Sequence, residues 1–332
     1  MTVRIGTRAS KLALTQTQQT ADQLAAVGGF PVELVHIRTD GDVLTGPLSQ
    51  MGGTGVFVAA LRDALLQDAC DVAVHSLKDL PVGPALGLSL AATPKRVDVR
   101  DVLCARDGLT LAQLPAGATV GTGSPRRAAQ LRAARPDLDI RDIRGNVDTR
   151  LGRVPGLPGN ATDAVVPGKS GDLDAVVLAA AGLHRIGRLD AVSEYLDPDV
   201  MLPAAGQGSL AIECRTADAP RKAGSTEGSQ GVLAQALAAV DDPDTRLAVT
   251  AERALLARLE AGCAAPVGAY AYRKGSLLHL DAVVCAVDGT ASVRDKKATD
   301  GLTEVGATLL GIELAEALLA AGAADIADLT AS

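Results

Sequence analysis

The sequence predicts an α/β protein with mostly parallel sheets, followed by a separate α+β domain with an antiparallel sheet. Over the first 215 residues, short apolar runs alternate with helical patterns, which is typical of βα units with helices on both faces of a sheet. From about residue 243 a long helical pattern precedes three strand-like runs, joined at Lys274-Gly275 and Asp288-Gly289 by good hairpin turns. The chain has 332 residues, too many for one ordinary core, so we expect two or three domains.

The individual elements follow from local patterns. A helix is expected from Ser10 to about Val27, a second at "VFVAALRDALLQDA", and a third at "PRRAAQLRAAR", which Pro136 ends. A short helix is expected at "NVDTRLGRV", and a long one over "DTRLAVTAERALLARLEAG", where Gly262 is placed to end it. Expected strands include "VRIG", "VELVHIR", "DVAVHS", "DVLCARD" and "ATVGTGS". Segments 154–172 and 218–231 are rich in Gly, Pro, Ser or Thr and indicate loops or linkers.

Composition excludes several classes of protein. The net charge of −7 argues against nucleic acid as a partner. No apolar run approaches the ~20 residues that span a bilayer, and the opening "MTVRIGTRAS" does not resemble a signal peptide. Five scattered cysteines without a CxxC pair favour reduced thiols in a cytoplasm over disulfides or a zinc site.

Basic residues follow several of the predicted strands. They are Arg4 and Arg8, Arg126 and Arg127, Arg144 and Arg150, and Arg185. The strand ends of a parallel sheet are where ligands bind, and arginine suits planar oxyanions, so a ligand with several carboxylates or phosphates is indicated. Ser124 is placed to cap the helix that begins at Pro125, which would add backbone N–H groups to an anion site. The "GTGS" stretch also half-matches a dinucleotide-binding loop, and a capped helix with solvated arginines remains an alternative.

Two other stretches carry reactive side chains. "VHSLKDLP" places His75, Ser76, Lys78 and Asp79 just after a buried strand. Cys263, in "LEAGCAAPVG", is by itself most simply a small buried residue, although a nucleophile or attachment point is the alternative.

Eight ordered blocks carry a family resemblance. They are "RIGTRASKLAL", "VHSLKDLP", "RDVLCARDG", "GTGSPRRAAQL", "IRGNVDTRL", "AAAGLHRIG", "LPAAGQGSLAIECR" and "AERALLARLEAGCAAPVGAYA". Together they resemble the porphobilinogen deaminase (hydroxymethylbilane synthase) family from Arg4 to about Ala271. The remaining C-terminal 60 residues are generic.

The resemblance implies a three-domain architecture. Two domains that resemble periplasmic binding proteins would flank a cleft, with a third α+β domain after them. We expect the first, catalytic domain at 1–96 plus 201–217, the second at 97–200 and the third at 232–332.

The resemblance also implies an activity. Four porphobilinogen molecules would condense stepwise, each with loss of ammonia, onto a dipyrromethane cofactor held by a thioether to Cys263. Hydrolysis would release hydroxymethylbilane for haem biosynthesis. Every pyrrole carries an acetate and a propionate, which accounts for the arginines. The family implies a cytoplasmic monomer that passes its product to uroporphyrinogen-III synthase, without nucleic acid, membrane or metal.

Individual roles follow from the matching motifs. Asp79 would be catalytic, because a carboxylate near pyrrole N–H groups stabilises the cation left when ammonia departs. Besides Asp79 and Cys263, the cofactor would be held by Lys78, Thr122, Ser124, Arg126, Arg127 and Arg150. Substrate or the growing chain would be bound by Arg8, Ser10, Phe57, Arg144, Arg185 and Gln207.

The chain departs from the family pattern at a few places. Thr54 and Ala59 stand where many members have lysines, Gly123 stands where a second serine is common, and segment 154–172 is longer than expected. Two other functions remain as alternatives: a non-catalytic binding protein for a small polyanion, which would have no use for Cys263, and a dinucleotide-dependent oxidoreductase, suggested by "GTGS" alone.

Overall fold

The computed structural model describes residues 1–37, 55–158, 171–221, 224–262 and 264–330, without the side chains of 55–57. Three positions singled out from sequence, Thr54, Cys263 and the Phe57 side chain, therefore lie outside the described residues, as does most of segment 154–172. The described chain forms two five-stranded sheets and one three-stranded sheet.

The first sheet has the strand order β2-β1-β3-β10-β4. Its strands are β1 (Val3–Thr7), β2 (Val32–His36), β3 (Val72–Ser76), β4 (Leu88–Ala92) and β10 (Leu210–Arg215). β1 is parallel to β2 and β3, whereas β10 is antiparallel to β3 and β4, so four of the five strands run in one direction. Helices α1 (Lys11–Gly28) and α2 (Gly55–Leu66) connect the first three strands.

The second sheet has the order β7-β6-β8-β5-β9. Its strands are β5 (Asp101–Ala105), β6 (Thr119–Gly121), β7 (Asp139–Arg141), β8 (Ala175–Ala179) and β9 (Glu194–Tyr195). Here β5 is the strand of opposite direction, antiparallel to both β8 and β9. Helices α3 (Pro125–Ala134), α4 (Val147–Leu151) and α5 (Ala180–Arg185) belong to this region. The whole second sheet lies in sequence between β4 and β10, so the chain leaves the first sheet and returns to it.

The third sheet is antiparallel, with the order β11-β12-β13. It contains β11 (Val267–Lys274), β12 (Leu277–Cys285) and β13 (Ser292–Thr299), covered by α7 (Pro243–Arg258), α8 (Glu304–Ala320) and α9 (Ala323–Ile326). Both predicted hairpin turns are present, with Gly275 at φ 62° and Gly289 at φ 78°, conformations that favour glycine. The mostly parallel sheets and the separate antiparallel sheet confirm the predicted fold class.

Capping residues set the helix beginnings that matter for the site. Ser10 accepts a hydrogen bond from the backbone N–H of Ala13 and so begins α1, and Gly29 ends it at φ 66°. Ser124 accepts from the N–H of Arg127 and begins α3, with Pro125 at its first position.

Helix α6 (Val232–Val240) packs differently from the expectation that placed residue 232 in the third domain. Its buried Leu233 and Leu237 join the core of the first sheet, together with Ile5 and Leu24. The apolar face of α6 is thus covered by α1 and β4, whereas the core of the third sheet begins with α7. Within the described residues, no helix combines the length and apolarity needed to cross a membrane.

Candidate active site

The turn after β3 carries two charged side chains, Lys78 and Asp79, and the first of them lines a cleft. A 3-10 turn, Leu77–Asp79, follows Ser76 and is anchored by the buried Leu77 side chain. The turn is closed by the Leu80 N–H, which donates to the Leu77 carbonyl oxygen at 3.0 Å. Packing of Leu77 into the core thereby leaves Lys78 at the cleft, with the half-buried Asp79 next to it in the turn.

A cavity of about 40 Å³ lies between the first and second sheets at this point. One wall comes from α1 and the end of β3, and the other from α5 and the turn that precedes β10. The lining residues are Leu12, Gln16, Ser76, Lys78, Ala179, Ala181, Gly182, Arg185, Gly206, Gln207, Gly208 and Ser209. Residues that follow β3 in the first sheet therefore meet residues of α5 and of the turn before β10 at one site, which Lys78, Arg185 and Gln207 line together.

Arg126 and Arg127 converge on Asp101, a carboxylate that sequence reasoning did not identify. Arg126 donates to Asp101 Oδ2 at 2.8 Å, and the Nε of Arg127 donates to Oδ1 at 2.9 Å. Asp101 is 0% exposed and both arginines are buried. Burial alone would raise the pKa of Asp101, but the two guanidinium groups hold it well below its usual range. Asp101 thus fixes both arginines behind the cleft.

Gln207 joins this cluster to the turn of the first domain. Its amide nitrogen donates to the Val99 carbonyl oxygen and to Asp101 Oδ1, both at 2.8 Å. Its amide oxygen accepts from Lys78 Nζ at 3.3 Å and from Arg127 at 3.4 Å. All the usual bonds of this amide are therefore made within the protein, and Gln207 connects the groups that face the cleft.

Lys78 carries a destabilised positive charge. Lys78 as a whole is exposed, but desolvation of its ammonium group, followed by repulsion from the nearby Arg127, lowers its pKa to about 8. The Asp79 carboxylate acts in the opposite direction and raises the pKa of Lys78, so it lies within electrostatic range of the ammonium group. An anionic ligand would relieve the unfavourable environment of Lys78.

Arg150 and Arg185 also carry positive charges that their surroundings disfavour. Burial, then repulsion from Arg127 and Arg144, lowers the pKa of Arg150 to about 10, and its Nε donates only to the Gly145 carbonyl oxygen, at 2.8 Å. Burial lowers the pKa of Arg185 to about 10, and this side chain donates to the Gly208 carbonyl oxygen at 2.9 Å. Among the described residues, neither arginine forms an ion pair with an acidic side chain. Both are suited to receiving carboxylates.

The structure also describes the surroundings of three further predicted residues, Arg144, Arg8 and Thr122. Arg144 is exposed, and its Nε donates to Asp142 at 3.2 Å. Arg8 is half-buried just beyond β1, next to Ser10 at the start of α1. Thr122 is buried, and its hydroxyl oxygen accepts from the Ser124 N–H at 3.3 Å.

Two features of the sequence have a structural explanation. A Cβ at Gly123 would lie 2.5 Å from the Ile143 carbonyl oxygen, so this backbone has no room for the more common serine. Arg4, which we expected among the anion-binding arginines, instead pairs with Asp71 at 2.7 Å and with Asp68 at 2.8 Å. Arg4 lies near the start of β1, whereas Arg8 lies just beyond the end of that strand. The prediction that Arg4 helps to bind an anionic ligand was therefore wrong.

Behind the turn lies a second buried ionic cluster. Both Nε and Nη2 of Arg62 donate to Glu213, at 3.0 and 2.9 Å, and His75 Nε2 lies 3.2 Å from the same carboxylate. Burial would raise the pKa of Glu213, but His75 and Arg62 lower it to about 2. Arg253 donates to the carbonyl oxygens of Leu80 and Pro81, so α7, the helix that covers the third sheet, also supports the turn.

The four described cysteines are unsuited to nucleophilic attachment. Cys70, Cys104, Cys214 and Cys285 are free and buried, and burial raises the thiol pKa to about 11 or 12 in each. No cluster of three or more metal-ligating side chains occurs in the part of the chain that the structure describes.

Comparison with solved structures gives distant likenesses. A periplasmic substrate-binding protein of an ABC transporter from Coxiella burnetii matches with a TM-score of 0.41 and 15% sequence identity, over 73% of this chain and 92% of that chain.

Comparison with protein sequences gives much closer matches. Residues 3–223 match the porphobilinogen deaminase dipyromethane cofactor binding domain, and residues 246–320 match the porphobilinogen deaminase C-terminal domain. A porphobilinogen deaminase of Cutibacterium acnes is 55% identical over 99% of this chain and 98% of its own length. One of Micrococcus luteus is 53% identical over 97% of this chain and 93% of its own length. This chain therefore belongs to the porphobilinogen deaminase family.

Proposed function

We propose that the chain is a porphobilinogen deaminase, a transferase that condenses four porphobilinogen molecules with loss of ammonia and releases hydroxymethylbilane by hydrolysis. The observation that carries this proposal is the Asp79 carboxylate, which follows Lys78 in the turn after β3 and lies within electrostatic range of both Lys78 and Arg150. A carboxylate among these cationic side chains suits a reaction in which polyanionic pyrroles pass through a transient cation.

Asp79 is the residue with the charge that the reaction requires. Loss of ammonia from porphobilinogen leaves an azafulvene cation, whose positive charge is shared with the pyrrole nitrogen. A carboxylate that accepts a hydrogen bond from the pyrrole N–H stabilises this cation, and the protonated acid can assist the leaving amine. Lys78 has the wrong sign for this task and suits a carboxylate of the bound pyrroles instead.

The donor set of the cleft fits a dipyrromethane with its acetates and propionates. Lys78, Arg150 and Arg185 make no ion pair with an acidic side chain among the described residues, and the buried Nε of Arg126 has no partner there. When bound, the dipyrromethane supplies the pyrrole carbon to which the first substrate is joined. We assign its carboxylates to Lys78, Arg126, Arg127 and Arg150 with the hydroxyls of Thr122 and Ser124, and those of the substrate to Arg8, Ser10, Arg144 and Arg185. Phe57 is assigned to the wall of the cleft, and Gln207 to holding Lys78 and Arg127 in place.

The attachment point is assigned to Cys263 through a thioether. The raised thiol pKa values of the four described cysteines support this assignment, because a protonated, buried thiol is a poor nucleophile. Cys263 follows α7, the helix whose Arg253 contacts the catalytic turn, although Cys263 itself lies outside the described residues.

Intact mass spectrometry tests the function and the anchor together. The purified protein should exceed its sequence mass by two porphobilinogen units less two ammonias, and turnover should yield hydroxymethylbilane. Cys263→Ser should lose the added mass, whereas Cys285→Ser should keep it. Anion binding without turnover would favour a binding protein instead, and an unmodified but fully active protein would overturn the cofactor assignment.

The proposal extends to the domain organisation, the cellular location and the oligomeric state of the enzyme. The packing of α6 supports a first domain of 1–96, 201–217 and α6, a second of 97–200, and a third that begins at α7. We assign the enzyme to the cytoplasm as a monomer that passes hydroxymethylbilane to uroporphyrinogen-III synthase. Light scattering of the purified enzyme should give the mass of one chain.

A further inference from the structure

Gln16 presents an unsatisfied amide to the cleft. This residue lies on α1, its side chain is 4% exposed, and it lines the same cavity as Lys78 and Arg185. Its amide oxygen accepts a hydrogen bond from the Ser76 hydroxyl at 3.3 Å. Its amide nitrogen is buried and has no hydrogen-bond partner among the described residues.

The unsatisfied nitrogen is not a general feature of this helix. The neighbouring buried hydroxyl of Thr17 donates to Thr7 at 2.8 Å, and that of Thr20 donates to the Gln16 carbonyl oxygen at 3.1 Å. Buried donors in folded proteins are nearly always paired, so an unpaired donor at a cavity calls for a ligand. The hydroxyl oxygen of Ser209, which lines the same cavity, is likewise buried without a partner among the described residues.

The charge of the cavity indicates which ligand atom the amide meets. Lys78 and Arg185 both line it, and among the described residues neither forms an ion pair with an acidic side chain. A ligand drawn to two cations brings carboxylate oxygens, which accept hydrogen bonds and donate none when ionised. The amide nitrogen of Gln16 donates, so its polarity matches the same group.

We propose that Gln16 is a substrate-binding residue whose amide nitrogen donates a hydrogen bond to a carboxylate oxygen of the substrate pyrrole bound by Arg185. This inference rests on the proposed function and deepens it, because it adds a neutral donor to a site otherwise assigned to cations. A neutral donor fixes the direction of the carboxylate without adding charge, and so contributes to selecting a pyrrole with its acid groups in the correct positions.

The test compares Gln16→Met with wild type, both as cofactor-loaded enzyme with porphobilinogen. Methionine has a similar length and no donor, so KM should rise about tenfold or more, as expected for a lost hydrogen bond to a charged group. The thermal midpoint of the variant should not fall by a matching amount, because the amide nitrogen has no protein partner to lose. Gln19→Glu, an exposed change on the same helix, should leave KM unaltered.

A second arm identifies the contact directly. Competitive inhibition is measured with porphobilinogen analogues that lack either the acetate or the propionate. Removal of the contacted carboxylate should weaken inhibition of wild type about tenfold but should have a much smaller effect on Gln16→Met. A Gln16→Met enzyme with KM within twofold of wild type, or with equal sensitivity to both analogues, would overturn the inference alone. A wild-type protein that does not turn over porphobilinogen would instead refute the proposed function.

Discussion

Arg96 binds both carboxylate oxygens of Glu252, at 2.6 and 3.2 Å, and so ties the segment after β4 to helix α7 of the third sheet. Glu252 is 0% exposed and also accepts from the backbone N–H groups of Gly206 and Ala271, at 2.6 and 2.7 Å. Arg96 in turn donates to the Gln207 carbonyl oxygen at 2.9 Å. One buried ion pair therefore holds the third sheet against the turn that carries Gln207.

Removal of this carboxylate should destabilise the protein strongly. In Glu252→Ala the buried Arg96 and two backbone N–H groups lose their acceptor, and we expect a loss of about 3–5 kcal/mol in the free energy of unfolding. Glu316→Ala is the matched control, because its pair with Arg258 is exposed and should contribute less than about 1 kcal/mol. Urea denaturation of the two variants measures the difference, and equal losses would contradict the importance of the buried pair.

The sequence points to Asp79 and the arginines as candidate site residues but not to the groups that hold them. Residues at strand ends stand out because apolar runs precede them, and the described strand ends do meet at one cleft. Asp101 and Glu252 give no such signal, since each looks like an ordinary charged residue beside apolar ones. Their burial depends on contacts with Arg127 and Arg96, which are 26 and 156 residues away along the chain. The sequence likewise gives no signal for which sheet covers α6, because that depends on its contacts with α1 and β4.

Lys78 should make cofactor loading depend on pH. Its pKa is lowered to about 8 by burial and by Arg127, so the ammonium is charged below pH 8 and loses its charge as the pH rises through that value. Because a bound carboxylate favours the charged form, reconstitution of the cofactor-free protein should weaken above pH 8, by up to tenfold for each further pH unit. Lys78→Arg should abolish this dependence, because a guanidinium stays charged there. Mass spectrometry after reconstitution at pH 7, 8 and 9 measures the loaded fraction, and a similar decline in Lys78→Arg would exclude Lys78 as its source.

Arg150 and Arg127 should both be required for cofactor loading, but only Arg127 should also stabilise the cofactor-free protein. Arg150→Met should prevent cofactor loading with little loss of stability in the cofactor-free protein, because its charge is buried without an acidic partner in the described residues. Arg127→Met should prevent loading and also lower the thermal midpoint, since Asp101 would keep only one of its two arginines. Intact mass and calorimetry on both variants separate these effects. Equal thermal midpoints would argue against the structural role of the Arg127–Asp101 pair.

Glu213 should contribute to resistance against acid. The folded-state pKa of this group, about 2, lies below its ordinary value, because His75 and Arg62 outweigh burial. Its stabilisation is therefore present above about pH 4.5 and is lost as the pH falls towards 2; the difference corresponds to about 3 kcal/mol. Glu213→Gln should lose stability at pH 6 and approach wild type near pH 3, as measured by urea denaturation across that range. Glu33→Gln, an exposed change, should match wild type throughout, and a pH-independent deficit in Glu213→Gln would refute the linkage.

Asp79 should be required for turnover and not for holding the cofactor. Asp79→Asn keeps the size of the side chain but removes the charge that stabilises the substrate-derived cation, so turnover should fall by about 10²-fold or more. The added mass of the cofactor should persist, because the assigned carboxylate partners Lys78 and Arg150 are unchanged. Asp79→Glu should retain a small part of the activity, since the charge remains with altered reach.

Asp63→Asn, an exposed change on α2, serves as the control and should turn over normally. His75→Ala should cost far less turnover than Asp79→Asn, because His75 contacts Glu213 behind the turn and not the cleft. Turnover and intact mass are measured on the same loaded samples, and near-normal turnover by a fully loaded Asp79→Asn enzyme would refute the catalytic assignment.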